Sequence, residues 1–570
     1  MAEQLILADG YTSIRNRVMP VVNRLLKAVP QIGMNLALLD GEEVVWAESM
    51  GIADDEPRRQ VDLDTLFKAG SVTKVVTALA VLRCVERGLL QLDQPVHDLL
   101  PEFKPQYFTS PGRGITLRDL MTHHAGLPCD YRKDFYAESF EQDPAPLHSV
   151  LPFLNGHHLP YPPGHILSYS NLGMDLVGLI LERVTGKPYA SVIQDEVLDP
   201  LGMNLSSIQM PANAAERLSK GFTGVNSAWE PQLRDLPAGG LYTSILDLLK
   251  VGGVIMNEGR VNDETYLKPE TVAEMIRPQN AGNPLDFGLD IGLNWFVSYP
   301  KLNYAGKVCW HDGGTIHFSS ILICLPEHKL TAAILMNSFS SLAVHTVGPQ
   351  ILQAVLSKHG IEPEPVRKKA VFQSQAGALM PFDGLYPTIS LGPVRLASTP
   401  QKSELTYRDT KFQLVPTSLP GWYGMQLRLF GLVPVPIKEI RKLRVNFSRI
   451  DGEDVLALEN DGMRQAIATR WSPEPVPESW QARCGLYRNT NEKDEDLAEI
   501  RLMVIDGNQL VLETSMRKMG SLKVILIPRG DRQAISGGLG RFGGEELTVI
   551  DTPEGECLEL WGLIFRKVVE

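Results

Sequence analysis

Residues 11–27 carry Ile14, Val18, Val21, Val22, Leu25 and Leu26 at the spacing of one helix face, and Pro30 closes the run. Two strand-like runs follow, Met34 to Leu39 and Val44 to Glu48, on either side of Asp40-Gly41, a strong hairpin signal. Far along the chain the same kinds of element return. Lys307 to His311, Phe318 to Leu325 and Leu330 to Met336 read as short strands, with the turn Pro326-Glu327-His328-Lys329 between the last two, and a helix from Leu342 to Leu356 follows. No other feature constrains the fold as much, because strands need partners and each end of this segment offers some. The reading is an α+β domain over residues 1–360: one antiparallel sheet flanked by helices and closed by both ends, with a mainly helical insertion between them.

Glu362-Pro363-Glu364-Pro365, followed by Arg367-Lys368-Lys369, reads as a linker. Beyond it the helical pattern fades into short strand-like runs punctuated by Gly and Pro. A second linker, Ser472-Pro473-Glu474-Pro475-Val476-Pro477, divides this half. Gly384-Leu385-Tyr386 opens one part and Gly485-Leu486-Tyr487 the other. Each part ends on an apolar run closed by arginine, Ala466 to Arg470 and Leu563 to Arg566. The expectation is two related all-β domains, residues 370–471 and 479–570, each a small barrel.

The chemistry-bearing stretch lies in the insertion. Phe67-Lys68-Ala69-Gly70-Ser71-Val72-Thr73-Lys74 leads into the apolar run Val75 to Leu82, which reads as a buried helix starting near Ser71. Residues i and i+3 share a helix face, so the Ser71 hydroxyl and the Lys74 amine come within reach of each other. Burial lowers a lysine's pKa and makes it a proton acceptor. Backbone N–H groups at a helix start can hold an oxyanion. S-x-x-K also occurs by chance, and the competing reading is an N-capping serine beside a solvated lysine.

Two further stretches carry the same double reading. Leu167-Ser168-Tyr169-Ser170-Asn171 starts from a turn and enters an apolar helix. Tyr169 can relay a proton and Asn171 can hold a carbonyl, or Ser170 or Asn171 is simply the helix cap. Trp310-His311-Asp312-Gly313-Gly314-Thr315 ends a strand on two glycines that permit close backbone approach to a ligand. The alternative is a strand end with a surface histidine.

Composition excludes several classes. A formal charge of −12 without a long basic run argues against nucleic-acid binding. No apolar segment is long enough to span a bilayer, and the first residues lack the pattern of a secretory signal. Six scattered cysteines without C-x-x-C spacing suit a cytoplasmic protein with reduced thiols, and Cys309 reads as a packed core thiol. No metal is expected, since His123-His124 and His157-His158 lack metal-site spacing. Gly538 to Gly543 matches G-x-G-x-x-G, but the β-branched run Leu547 to Ile550 follows it instead of a helix, so no nucleotide cofactor is expected. G-x-S-x-G is absent around Ser71.

Taken together and in order, Ser71-Val72-Thr73-Lys74, Tyr169-Ser170-Asn171 and His311-Asp312-Gly313 resemble the serine β-lactamase and penicillin-binding-protein-like superfamily, in its class C β-lactamase, D-aminopeptidase and family VIII esterase branch. Supporting stretches include Leu120-Met121-Thr122-His123-His124-Ala125-Gly126-Leu127 and Pro237-Ala238-Gly239-Gly240-Leu241, and the resemblance covers roughly residues 10–360. It implies a serine hydrolase that cleaves amides or esters of small molecules or short peptides without a cofactor. Ser71 would be the acylated nucleophile, Lys74 its activating partner and Tyr169 the proton shuttle. The N–H groups of Ser71 and Gly314 would form the oxyanion hole beside Gly313, and Asn171 would orient the substrate amide. His311 stands where β-lactamases and penicillin-binding proteins usually carry lysine, which points away from strong β-lactamase activity and towards peptidase or esterase chemistry. A weakly catalytic scaffold or ligand-binding protein is the reading of another class, and a homo-oligomer is left open. D-aminopeptidases of this superfamily carry lipocalin-like barrels from which a loop can cover the cleft. The candidate here is Gly537-Gly538-Leu539-Gly540-Arg541-Phe542-Gly543-Gly544, against an ordinary hairpin loop.

Overall fold

The computed structural model describes residues 4–28, 32–56, 58–108, 110–139, 142–210, 214–224, 226–363, 377–389, 391–408, 410–429, 433–435, 440–491, 497–516 and 520–568. Both ends of the first segment do build one six-stranded antiparallel sheet. Its order is Leu5–Leu7, Glu43–Met50, Met34–Asp40, Leu330–Met336, Ser319–Leu325 and Cys309–Gly314. The two ends meet where Met34 pairs with Met336 and Asp40 with Leu330. Alternation along each strand then sorts side chains to two faces. Leu36, Leu38, Ile321, Ile323 and Ile334 pack with the helices Thr12–Ala28 and Ser341–Lys358. Ala37, Leu39, Leu322, Ala333 and Leu335 pack on the other face with the core of the helical insertion. Apolar residues on both faces mark a central sheet covered on both sides.

One boundary differs from the sequence reading. The edge strand is Cys309–Gly314, two residues later than Lys307 to His311, and it runs through both glycines. Its Gly313 and Gly314 pair with Ser320 and Ser319. A Cβ on Gly313 would collide with the Ala69 carbonyl, so only a bare backbone lets the strand reach the Ser71 turn.

Of the linker read at Glu362 to Lys369, residues 364–369 lie outside the described residues. Beyond it, strands from Gly384–Thr388 to Met463–Thr469 form a curled antiparallel sheet whose ends meet at one bridge, where Trp471 N–H donates to the Leu385 carbonyl at 2.8 Å. Residues 472–477 have no regular structure. Eight strands from Gly485–Asn489 to Leu563–Lys567 then close a complete barrel, with Asn489 opposite Phe565 at the seam. Its inward positions, among them Tyr487, Ile500, Leu502, Leu547, Leu558 and Phe565, form a packed core. The repeated Gly-Leu-Tyr does one job twice. Tyr386 OH donates to the Phe382 carbonyl at 2.6 Å, and Tyr487 OH to the Arg483 carbonyl at 2.7 Å. Each ties the first strand of its barrel to the turn that feeds it. Among the described residues no helix is long and apolar enough to cross a membrane.

Candidate active site

Ser71 lies in a 3-10 turn, Gly70–Val72, that feeds the helix Thr73–Glu86. Ala69 donates its N–H to the Leu241 carbonyl at 2.9 Å and accepts from Ser320 Oγ at 2.6 Å, which fastens the turn between the insertion and the sheet. Gly70 has φ +53°, and a Cβ there would stand 2.8 Å from the Gly314 nitrogen. Glycine at this position therefore serves both a left-handed backbone and the close approach of the sheet edge.

Lys74 follows one turn later and is fully buried. Its Nζ lies 3.2 Å from Ser71 Oγ, 2.7 Å from Asn171 Oδ1 and 2.8 Å from the Ala238 carbonyl. Burial pulls its pKa down to about 7, and the Arg541 charge pushes the same way. At neutral pH a large fraction of Lys74 is thus free amine, beside a hydroxyl that can lose its proton to it. The competing picture of a solvated lysine does not hold.

Tyr169 completes the cluster. Burial of its phenol raises the pKa, while a hydrogen bond with Ser71 and the Arg541 charge pull it back down. The Tyr169 ring lies 4.9 Å from Lys74 Nζ, 4.2 Å from the His123 ring and 6.3 Å from the His311 ring. The helix-cap reading of residues 167–171 holds, and the Asn171 amide faces the site without being free for a substrate carbonyl. Ser170 caps the helix Asn171–Thr185, its Oγ accepting from Gly173 N–H at 3.0 Å. That leaves the Asn171 side chain to tether Lys74 through Oδ1 and Asp130 Oδ1 through Nδ2, at 2.6 Å. Both ends of this amide are engaged within the protein, so its geometry is that of a brace on Lys74.

His311 is buried, 1 % exposed, and not the surface residue that a strand end suggests. Its Nδ1–H donates to the Asp312 carbonyl at 2.6 Å, and burial lowers its pKa to about 4, so it is neutral at pH 7. Ser71, Asn171 and Gly314 line a cavity of ≈ 60 Å³ together with Leu233, Leu236 and Tyr242. Of the residues picked out in the sequence, Ser71, Lys74, Tyr169, Asn171, His311 and the Gly313-Gly314 backbone converge.

Sequence reasoning missed His123, Cys129, Asp130, Arg541 and Glu545. His123 Nδ1 accepts from Ser170 N–H at 3.3 Å while its ring packs on Tyr169, so the first member of a histidine pair supports the phenol. Arg541, from the glycine-rich loop of the closed barrel, donates through Nε to Cys129 Sγ at 3.0 Å, and its guanidinium sits 5.0 Å from the Tyr169 ring centre. Glu545 accepts from Cys129 N–H at 2.7 Å. The run of glycines marked the loop, but nothing local tied its arginine to residues four hundred positions earlier.

A family model described as Beta-lactamase matches residues 22–356. Among curated proteins, the esterase EstB of Burkholderia gladioli is 34% identical over 199 residues, 34% of this chain and 50% of that protein. Penicillin-binding protein 4* of Bacillus subtilis is 25% identical over 313 residues, 52% of this chain and 66% of its own length. The chain thus spans between half and two thirds of the lengths of these relatives. Among solved structures, the octameric penicillin-binding protein homologue from Pyrococcus abyssi superposes with a TM-score of 0.52 at 23% identity, covering 80% of this chain and 100% of the other.

Proposed function

The chain belongs to the Beta-lactamase family, within the serine β-lactamase and penicillin-binding-protein-like superfamily, and from that premise we propose that it is a hydrolase acting through an acyl-enzyme on Ser71. The observation that carries this reading is the Lys74 amine, buried and 3.2 Å from the Ser71 hydroxyl. With a pKa near 7, Lys74 accepts the Ser71 proton as the oxygen attacks the substrate carbonyl. The N–H groups of Ser71 and Gly314 receive the oxyanion. Tyr169 hands a proton to the departing amine or alkoxide, and takes one from the water that later releases the acyl group. Asn171 and His123 hold Lys74 and Tyr169 in place.

The favoured substrates are small peptides or amino-acid amides, in keeping with neutral His311, which offers no fixed charge to a β-lactam carboxylate. Short-chain esters are the second reading, supported by the esterase among the relatives. The small cavity beside Ser71 favours a compact acyl group in either case. On this reading the catalytic domain ends near residue 360, and the barrels occupy 370–471 and 479–570. Six free cysteines are in keeping with a cytoplasmic setting, and the octameric relative lends support to self-assembly.

A fluorophosphonate probe tests the mechanism. Wild type should label at Ser71 and hydrolyse p-nitrophenyl esters or aminoacyl p-nitroanilides, and Ser71→Ala should lose both, by on the order of a thousandfold in turnover. A Ser71→Ala protein that keeps most of its activity would place the nucleophile elsewhere.

A further inference from the structure

The loop between the barrel strands Gln533–Ser536 and Glu546–Thr552 leaves its own barrel and packs on the other two parts of the chain. Leu539 N–H donates to the Ile467 carbonyl at 3.0 Å, and the Gly540 carbonyl accepts from Ser168 Oγ at 3.3 Å, one residue before Tyr169. Gly543 N–H closes the turn onto the Gly540 carbonyl at 3.0 Å. Phe542 is held at φ +67°, a left-handed conformation that a bulky residue adopts only under constraint. This backbone presents Arg541 to the site. Besides Cys129 Sγ and the Tyr169 ring, its guanidinium faces Asp130 Oδ2 at 3.7 Å and lies 4.9 Å from the Phe542 ring centre.

Asp130 holds Asn171, and Asn171 holds Lys74. A continuous line of contacts therefore runs from the second barrel to the base beside Ser71. The Arg541 guanidinium lies 5.0 Å from the Tyr169 ring centre, within the range of attraction between a cation and an aromatic ring, and the Lys74 amine lies 4.9 Å from the same centre. The position occupied by His311 supplies no charge. We propose that Arg541, delivered from the second barrel, is a positioning residue of this centre. Its permanent charge holds the Tyr169 ring and the Asp130–Asn171–Lys74 line in register, and biases the lysine and the phenol towards giving up their protons. The inference rests on the Ser71 reading above.

The surrounding charges leave this role to Arg541. Burial raises the pKa of the Cys129 thiol and of the Asp175 carboxyl, lowers that of His123 and draws Glu545 up to about 8, while the Asp175 charge opposes Arg541 at Lys74. Asp235 is ion-paired with Arg234, and Asp312 Oδ2 lies 3.1 Å from His345 Nε2. Asp130 remains a carboxylate and partly offsets Arg541. With an arginine always charged, Lys74 meets a steady repulsion that favours its free amine. The charge of Arg541 likewise favours a Tyr169 phenolate.

The test is the pH profile of kcat/KM for p-nitrophenyl acetate, measured on the full chain as wild type, Arg541→Met and Arg541→Lys. Arg541→Met should move the acid limb up from near pH 7 by about one unit and lower kcat/KM at pH 7 by about fivefold, and Arg541→Lys should restore most of the limb's position. An Arg541→Met limb that coincides with wild type, whatever the overall loss, overturns the inference, and so does an Arg541→Lys limb displaced as far as that of Arg541→Met. Should wild type itself neither turn over nor label at Ser71, it is the hydrolase reading that fails.

Discussion

The two barrels are built alike and are used differently. Each opens on Gly-Leu-Tyr with its tyrosine pinned to a carbonyl four residues back. The first meets the N-terminal part of the chain largely through its surface: an exposed Lys301–Asp461 ion pair at 3.1 Å, an edge contact between Phe287 and Trp422, and a small apolar cluster around Leu285, Val455 and Ala466. The second sends two buried carboxyls and one half-exposed arginine towards the site. Glu545 takes the Cys129 N–H, Glu546 takes the His158 N–H at 2.9 Å, and Arg541 reaches the Tyr169 ring. The lesson is that the barrel architecture is neutral as to role. What differs is one long glycine-rich loop that can adopt conformations closed to other residues, and so can carry a charge out of the barrel.

The largest effect that would sharpen this contrast comes from the loop's base. Gly544 has φ +72°, and a Cβ there would lie 2.9 Å from Pro160 Cβ. Gly544→Val should push the loop off its seat and cut kcat/KM by on the order of a hundredfold, with the far-ultraviolet circular dichroism unchanged. Unaltered kinetics in a folded Gly544→Val protein would make the two barrels equivalent after all.

Glu545 should give an intermediate effect with a definite sign. Its folded-state pKa, drawn up to about 8 by burial, lies above the ordinary 4.5, so the native protein holds this proton more tightly than the unfolded chain does. The associated stability is complete below about pH 4.5 and declines as pH rises towards 8, by at most ~1.4 kcal/mol per pH unit. Glu545→Gln should remove that slope, as read from Tm across this window. Parallel Tm curves for the two proteins would mean that the carboxyl is not titrating at the interface.

The smallest effect belongs to the first barrel. Asp461→Asn keeps a residue tolerant of the left-handed conformation at φ +53° and removes only the exposed charge facing Lys301 and Lys442. Stability should change by less than about 0.5 kcal/mol, with kcat/KM unaltered. A severalfold loss of kcat/KM would show that the first barrel also tunes the site.

Much of the centre was legible because its parts are local. Ser71 and Lys74 are one helical turn apart, and Ser170 marks the helix start that leaves Asn171 facing Lys74. The sheet was legible from alternating apolar residues at both ends of the first segment. His311 was misjudged in isolation because a strand end looks exposed until the insertion is packed over it. Arg541 was passed over although its loop was noticed, since one arginine among glycines has no periodicity to betray its partner.

By itself, the sequence determined which elements form and which residue types stand together on each, because helix and strand spacing act over a few positions. Only the tertiary structure decided that a charge from the last barrel lies against Tyr169, and that His311 and Lys74 lose their ordinary affinity for protons. Those outcomes depend on burial and on contacts between residues hundreds of positions apart, which local patterning does not encode.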